Sequence, residues 1–399
     1  MEHLTTVLFH LFLIFASAKL LGELFERFRQ PAVVGEVLAG LLLGPYLLGI
    51  VPHSPIYEGI AEIGVIFLLF TVGLETKPSD IMTVGVVASK VGLLGIILPF
   101  ALGFGLIAHL GHPTLEALFI GTALVATSVG ITARVLGDMG LIQEIESRII
   151  LGAAVIDDII GMILLAVVSG LGEGVLSWVR IALVAVEAIA FTLFLALVGS
   201  RMVNRYGRWI ERIRTHHAPL VFSILICLGL SALSSAIGMA AIIGAFMAGM
   251  VLAEFSEEYH LVEKAEAIYA FLVPFFFFVM GSHINVAVIG SGEIIWLALA
   301  ITVLAVVGKL VGCGIGALSL GRSSALIVGV GMVPRGEVGI IVAMLGLRLH
   351  AIPESMYALV IFMSVVTTLA VPPVLRLLFR DRLRAREQAI FETERQEVT

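Results

Sequence analysis

Charge is scarce in this sequence, because Asp, Glu, Lys and Arg make up only 14% of its 399 residues. Soluble domains carry about 25% charged residues, and a water-exposed surface needs that charge. The two cysteines lie in apolar stretches, so they indicate neither a disulfide framework nor a zinc site. No long hydrophilic stretch is present that would form an appended soluble domain. These absences exclude a cytosolic enzyme, a nucleic-acid-binding protein, a disordered chain and a disulfide scaffold.

Apolar residues are abundant instead, since the hydrophobic types make up 59% of the chain and the mean hydropathy is +1.10. This composition predicts an all-α polytopic membrane protein, in which each crossing needs about 20 apolar residues. Residues 4–26 are interpreted as a retained helix, because no Lys or Arg precedes the signal-cleavage-like Ala16-Ser17-Ala18. Division at charges, prolines and turn residues gives about thirteen transmembrane segments: 4–26, 31–50, 57–76, 82–109, 114–138, 144–170, 174–203, 217–236, 238–255, 262–284, 291–320, 322–348 and 354–379.

Lysine and arginine residues predict the orientation of these segments, because cytoplasmic loops of membrane proteins are rich in them. With the N-terminus outside, 18 of the 24 basic residues lie on the cytoplasmic side, and only Arg180 and Arg348 lie outside. The sequence therefore predicts an outer N-terminus, a cytoplasmic C-terminus and an odd number of crossings.

The thirteen segments divide into six, one and six, and the two sets of six would run in opposite directions through the membrane. Inverted repeats of this kind are common in secondary transporters. Lys90 in the fourth segment and Lys309 in the eleventh occupy corresponding positions, although chance similarity between glycine-rich stretches is an alternative. The fifth and twelfth segments also correspond, and both contain interruptions. The sequence thus predicts an inverted-topology repeat with two broken, crossing helices.

Two of the five aspartates, Asp157 and Asp158, are adjacent within the apolar sixth segment. Asp157 lies about 12 Å from the cytoplasmic start of that segment, at a depth where a charged group is costly. Neighbouring helical residues point about 100° apart, so one carboxylate can face a cavity while the other faces a packed helix. Carboxylate oxygens bind hard cations, and burial favours their protonated form. We therefore expect the pair to hold either a proton or a cation, as a cation/proton antiporter requires.

Lys309 lies in the middle of its segment and needs a carboxylate partner, for which the aspartate pair is the obvious choice. Two roles are open for it. Burial favours a neutral lysine, so Lys309 could carry a transported proton, or it could form a static salt bridge that only holds the helices together. Lys90 lies nearer the cytoplasmic end of its segment, where its side chain can reach the interface.

The twelfth segment is interrupted at Pro334, which has no backbone N–H, and at the glycines that follow it. A broken helix is tolerated within a membrane where it lines a cavity or is covered by protein. Arg335 and Glu337 lie in this interruption, and we expect them to neutralise charges or helix dipoles rather than contact the ion.

The fifth segment carries hydroxyl groups at Thr127, Ser128 and Thr132. These groups can satisfy opened backbone or ligate a cation, although small residues for close helix packing are an equal alternative. The correspondence with the twelfth segment favours a functional role, because two interrupted helices at mid-depth are typical of a transporter binding site.

Several other polar residues receive no role from the sequence. Glu36, Glu62 and Glu187 lie in or near apolar segments without an assignable partner. The outer-face histidines at 53, 109 and 112 are interpreted as solvated loop residues, which are common.

The interrupted segments and the aspartate pair together resemble the monovalent cation:proton antiporter-2 family, in particular its NapA-like bacterial Na⁺/H⁺ antiporters. The likeness runs from about residue 4 to 379, and its three longer motifs together are specific. The matching stretches are ATSVGITARVL at 126–136, GAAVIDD at 152–158, MVPRGEVG at 332–339 and FTVGLE at 70–75.

The resemblance implies an NhaA-type antiporter fold, a homodimer, and a bacterial or archaeal cytoplasmic (inner) membrane. Transport would follow an elevator-like movement of a core against a scaffold. The implied divisions are a dimerisation scaffold at 1–80 and 217–288, a core at 81–171 and 289–379, a linker helix with a cytoplasmic loop at 172–216, and a short cytoplasmic tail at 380–399.

The resemblance also implies roles for single residues. The family's second aspartate, here Asp158, is the principal ion ligand, and its first, here Asp157, pairs with the core lysine, here Lys309. Thr127 and Ser128 would lie at the helix crossover. Two acids with a lysine resemble the electrogenic branch, which exchanges two protons for one sodium ion. No cofactor is implied beyond the transported Na⁺ or Li⁺ and H⁺, and no partner beyond lipid and a second subunit.

Other functions remain alternatives. A K⁺/H⁺ antiporter of the same family would use the same site; about twenty residues follow the last segment, so we expect no nucleotide-binding regulatory domain like that of the K⁺-efflux relatives. A sodium-coupled organic-anion symporter could share the fold. An intramembrane aspartyl protease needs two aspartates on separate helices, which an adjacent pair does not provide.

Overall fold

The structure is a computed structural model that describes residues 2–28, 30–172, 178–195, 218–283 and 292–380. Over these ranges the chain is helical and contains no strand, which confirms the predicted all-α class. The helices are α1 Glu2–Arg27, α2 Ala32–Leu43, α3 Pro55–Leu74, α4 Pro78–His109, α5 Thr114–Val125, α6 Val129–Asp138, α7 Ile145–Gly172, α8 Trp178–Phe194, α9 Ala218–Ala236, α10 Ala241–Val251, α11 Ala253–Tyr259, α12 Leu261–Ser282, α13 Gly292–Gly316, α14 Arg322–Gly331, α15 Glu337–Arg348 and α16 Glu354–Leu378.

Nine helical stretches within the described ranges are long and apolar enough to cross a membrane. One of them, Thr114–Asp138, combines α5 and α6. Two predicted segments are shorter than expected, because 31–50 yields only the 12 residues of α2 and 238–255 only the 11 residues of α10. At 1.5 Å per residue these helices extend about 18 and 17 Å, which is less than the hydrocarbon thickness of about 30 Å. Both ends of the predicted segment 174–203 lie outside the described residues.

Two helices are broken where the sequence predicts interruptions. Residues 126–128 leave helical geometry between α5 and α6, and Ser128 has extended torsions of −86° and 93°. Residues 332–336 separate α14 from α15, and Gly336 has torsions of −140° and −141°. Each break leaves backbone N–H and C=O groups without helical partners, so each needs other partners inside the protein.

The helices pack as two groups. Helices α1, α2, α3, α9, α10 and α12 pack mainly on one another, and α4 to α7 pack with α13 to α16. The two groups meet where α6 contacts α3 and α2 and where α16 contacts α2. This arrangement places the broken helices within one group and against the wall of the other.

Glycines allow the closest helix contacts inside both groups. A Cβ atom at Gly281 of α12 would lie only 1.9 Å from the carbonyl oxygen of Val37 on α2. A Cβ atom at Gly312 of α13 would lie 2.4 Å from the carbonyl oxygen of Leu94 on α4. Small residues let backbones approach in this way, as is typical of helix packing in membranes.

Candidate ion-binding site

The two unwound segments touch each other at the centre of the second helix group. The backbone N–H of Ser128, in the first break, donates to the carbonyl oxygen of Pro334, in the second break, at 2.8 Å. A Cβ atom at Gly336 would lie 2.5 Å from Oγ of Ser128, so the approach requires glycine at that position. The breaks therefore satisfy part of each other's opened backbone.

Two threonine hydroxyls of the first broken helix also reach the second. Thr132 Oγ1 donates to the carbonyl oxygen of Gly331 at 2.6 Å, and Thr127 Oγ1 lies 3.5 Å from that of Met332. Both threonines are buried. These carbonyls belong to the end of α14, where no further helical N–H groups follow to donate to them.

Arg335 is completely buried within the second break. Its guanidinium donates to the carbonyl oxygens of Val333 at 3.0 Å, Met332 at 3.3 Å and Ala305 at 3.2 Å. A positive charge at the carbonyl end of a helix is favourable, because the helix dipole is negative there. Arg335 thus satisfies acceptors at the end of α14.

Helix α16 holds the backbone of the second break in place. The N–H of Arg335 donates to Thr367 Oγ1 at 3.1 Å, and its carbonyl oxygen accepts from Thr368 Oγ1 at 2.9 Å. Glu337 is the first residue of α15, and its side chain lies outside the described part of the structure.

Lys309 and Asp157 form a buried ion pair between α13 and α7. The Nζ atom of Lys309 lies 2.9 Å from each oxygen of the Asp157 carboxylate, and the side chains are 0% and 1% exposed. An unpaired charge at this depth would cost several kcal/mol, so each group requires the other. Helix α4 covers the pair, because a Cβ atom at Gly95 would lie 3.5 Å from Lys309 Nζ.

Asp158, next to Asp157 on α7, has different surroundings. It is partly exposed and lines a small cavity between the two helix groups. The cavity has a volume of about 10 Å³, close to the smallest space that holds one water molecule. Apolar side chains of α3 and α10, including Leu69 and Phe246, form one wall, and Val129, the residue after Ser128, lies on the other.

The remaining unassigned charges lie away from this cavity. Lys90 and Glu62 are exposed, and Glu187 is partly buried on α8. Glu36 is buried on α2, and its Oε2 has no hydrogen-bond partner in the described ranges.

A second polar cluster, which we did not predict, joins the two helix groups near the predicted cytoplasmic face. Arg134 of α6 is buried, forms an ion pair with Asp138 at 2.9 Å, and donates a hydrogen bond to the hydroxyl of Tyr269 on α12. The guanidinium also lies 4.9 Å from the Tyr269 ring centre. The spacing of four residues between Arg134 and Asp138 is a visible helix-pair signal. The tyrosine is 131 residues beyond Asp138, and only the fold reveals it.

Comparison with known proteins places this geometry in context. Residues 12–380 match the family model described as "Sodium/hydrogen exchanger, transmembrane". The Na⁺/H⁺-K⁺ antiporter GerN of Bacillus cereus is 37% identical over 381 residues, covering 94% of this chain and 97% of GerN. The high-affinity Na⁺/H⁺ antiporter NhaS3 of a Synechocystis species is 34% identical, covering 94% of this chain and 90% of NhaS3.

A solved structure has a similar fold. The sodium proton antiporter MjNhaP1 of Methanocaldococcus jannaschii superposes with a TM-score of 0.67, covering 96% of this chain and 98% of MjNhaP1. The two sequences are 18% identical, so this match concerns the fold alone.

Proposed function

Because the chain belongs to the sodium/hydrogen exchanger family of monovalent cation:proton antiporters, we propose that it exchanges Na⁺ or Li⁺ for H⁺ across a membrane. The observation that carries this proposal is the contrast between two adjacent acids. Asp157 is neutralised by Lys309 at 2.9 Å, whereas Asp158 faces a cavity between two helix groups. We therefore assign the transported ion to Asp158, the acid that lines the cavity.

In the proposed mechanism Asp158 binds either a proton or a sodium ion, so the two exclude each other. Carboxylate and carbonyl oxygens are the hard ligands that such a cation prefers. Thr127 and Ser128 at the crossing are the further candidate ligands, and Val129 beside them lines the same cavity as Asp158. Thr132, Arg335 and Glu337 support the crossing without contacting the ion.

We propose that the exchange is electrogenic, with two protons moving for each sodium ion. A second titratable unit is needed for the second proton, and the ion pair of Asp157 with Lys309 supplies one. In this cycle one Na⁺ crosses on Asp158 while Lys309 is without its proton, and two protons cross in the opposite direction, one on Asp158 and one on Lys309, so one net charge crosses per cycle. A potential of 100 mV would then contribute about 2.3 kcal/mol to each cycle.

The decisive experiment measures Na⁺-driven proton flux in proteoliposomes that contain the Asp158→Asn variant. We expect exchange to be abolished, because asparagine keeps the shape but neither releases a proton nor carries a charge. Glu62→Gln is the matched control, since Glu62 is an exposed acid on α3, and its exchange should equal that of the wild type. Unaltered exchange in Asp158→Asn would refute the site.

Potassium is the alternative substrate, because the name of the relative GerN includes K⁺ as well as Na⁺. The same liposomes should be tested with Na⁺, Li⁺ and K⁺, each at zero membrane potential and at a fixed membrane potential. Because K⁺ is one of the tested ions, that potential must not be set by a K⁺ gradient. Proton flux driven by Na⁺ and Li⁺ but not by K⁺ supports the proposal, and a K⁺ response as large as the Na⁺ response contradicts the selectivity. A rate that does not change with potential contradicts the stoichiometry.

We propose that access alternates by an elevator-like movement of the second helix group against the first. In this proposal residues 81–171 and 289–379 form the moving core of an NhaA-type fold with thirteen crossings, and 1–80 and 217–288 form the scaffold of a homodimer. The termini lie outside and in the cytoplasm of an inner membrane, as the basic residues predict. The cluster of Arg134 with Tyr269 would have to separate as the core moves.

A cross-link between the groups tests this movement. A Cβ atom at Gly130 of α6 would lie 3.3 Å from Cγ2 of Val65 on α3, which is suitable for a Val65→Cys and Gly130→Cys pair. In a background with Cys227 and Cys313 replaced by alanine, oxidation of this pair should stop exchange and reduction should restore it.

The control pair lies within the scaffold. A Cβ atom at Gly22 of α1 would lie 3.5 Å from Cβ of Ala32 on α2, so Gly22→Cys with Ala32→Cys should cross-link without slowing exchange. Full exchange through the oxidised Val65–Gly130 pair would contradict a sliding core.

A further inference from the structure

Two histidines and a glutamate meet at the end of the molecule opposite the Arg134 cluster. His53 precedes α3, Glu58 lies in the first turn of α3, and His283 directly follows α12. One potential ligand atom from each residue lies within 4.8 Å of the other two. The two imidazole rings are edge to face, with centres 4.7 Å apart. Residues 230 positions apart in the sequence therefore offer three ligand atoms to one point.

We propose that His53, Glu58 and His283 bind a divalent transition-metal ion of the zinc class at the outer face. Two imidazoles and one carboxylate are a ligand set that zinc uses in proteins, with a fourth position left to water or another ligand. Alkali and alkaline-earth ions prefer all-oxygen sites, so the transported cation is not expected here. The site is distinct from Asp158, which lies on α7.

The positions of the three side chains suit a site that closes around an ion. Tetrahedral zinc with bonds of about 2.0–2.2 Å separates its ligand atoms by about 3.4 Å, so the cluster must contract by roughly 1 Å. His53 and Glu58 are exposed and can rotate towards the ion, whereas His283 is partly buried. Burial thus restricts His283, whereas the side chains of His53 and Glu58 can adjust to the ion.

The His283 ring has a nitrogen, unpaired within the described part of the chain, that can bind a ligand. Its Nδ1 is buried and has no hydrogen-bond partner among the described residues, and leaving a buried polar nitrogen unpaired costs free energy. Histidine binds metals through a ring nitrogen of this kind, in its neutral form.

The location connects the site to the interface between the helix groups. His283 lines a small cavity together with Met280 of α12 and with Arg335 and Gly336 of the second break. A bound ion would tie the segment before α3 to the end of α12, both in the first helix group. Zinc binding at this site does not depend on which cation is transported at Asp158.

The test is a Zn²⁺ titration of the full-length chain, purified in detergent without a histidine tag and freed of metal with a chelator. Competition with a chromophoric zinc indicator measures affinity and stoichiometry. We expect one Zn²⁺ per chain, with no competition from millimolar Mg²⁺ or Na⁺. Loss of an outer-shell partner of a metal ligand weakens binding by about 10–100-fold, so His53→Ala or His283→Ala should weaken it by more than about 100-fold.

A matched control is present on the same face. His112 lies 3.2 Å from Glu116 but forms only a two-residue pair, so His112→Ala should leave the Zn²⁺ affinity unchanged. Glu58→Gln removes one exposed ligand without disturbing packing, and Glu58→Asp should retain more affinity than Glu58→Gln. Zinc should also raise the melting temperature of the wild type and of His112→Ala but not of Glu58→Gln. Absence of binding in the wild type, or wild-type Zn²⁺ affinity in both Glu58→Gln and His53→Ala, would overturn the proposal.

Discussion

The sequence predicts corresponding positions for Lys90 and Lys309 in two inverted halves, yet the structure gives the two lysines opposite surroundings. Lys309 on α13 is completely buried and pairs with Asp157 at 2.9 Å. Lys90 on α4 is exposed. The predicted correspondence therefore does not extend to chemistry, because Lys309 pairs with an acid of α7 whereas the Lys90 side chain is exposed.

The two breaks differ in the same manner. The first broken helix contributes donors, namely the N–H of Ser128 in the break and the hydroxyl of Thr132 in α6. The second contributes mostly acceptors at the end of α14, and Arg335 donates to the carbonyl oxygens of Met332 and Val333 there. The two interruptions are thus complementary, because the first broken helix supplies hydrogen-bond donors and the second supplies acceptors. Charge and hydrogen-bonding capacity, rather than helix geometry, distinguish the two broken helices.

The largest expected difference between the halves concerns the two lysines. Lys309→Ala leaves Asp157 buried without a partner, which costs about 3–5 kcal/mol when one member of a buried ion pair is removed. We expect a much lower melting temperature in detergent and no Na⁺/H⁺ exchange in liposomes. Lys90→Ala should change neither measurement, because the side chain is exposed. Equal effects of the two substitutions would show that the halves are chemically equivalent.

A double substitution separates the cost of the unpaired charge from the value of the ion pair. Lys309→Ala combined with Asp157→Ala removes both charges, and such pairs are often nearly neutral when replaced together by apolar groups. We expect the double variant to melt higher than Lys309→Ala alone but to remain defective in electrogenic exchange. A double variant that melts as low as the single one would mean that packing, not charge, explains the loss.

Much of this arrangement was predictable from the sequence, because it depends on local chemistry. Pro334 and its following glycines predict a break wherever they occur in a helix, and a charge such as Lys309 within apolar sequence requires a partner. The short helices α2 and α10 were predicted too long, since hydropathy does not show where a helix stops. Tyr269 as a partner of Arg134 and His283 as a neighbour of His53 were not predictable, because both contacts depend on which helices pack together.

Arg335 should have the next largest effect, and it tests the complementarity of the breaks. Arg335→Met removes hydrogen bonds from a charged donor to three buried carbonyls, but it also removes the cost of burying the guanidinium, so the net loss should stay below that of Lys309→Ala. We expect a melting temperature well below that of the wild type, together with reduced exchange. Arg322→Met is the control, because Arg322 is an exposed arginine at the start of α14, the helix that precedes the break. Similar melting temperatures for the two variants would show that the buried guanidinium does not stabilise the second break.

The smallest expected effect concerns one hydroxyl that crosses between the breaks. Thr132→Val preserves shape but removes the 2.6 Å hydrogen bond to the carbonyl oxygen of Gly331, which should cost about 1 kcal/mol. Thr122→Val is the matched control, because the buried hydroxyl of Thr122 bonds only to the carbonyl oxygen of Leu118 in its own helix. That carbonyl oxygen can still accept a helical N–H after the substitution, whereas the carbonyl oxygen of Gly331 lies where α14 runs out of donors. Thr132→Val should therefore lower the melting temperature more than Thr122→Val, and the reverse order would mean that the contact between the breaks does not depend on this donor.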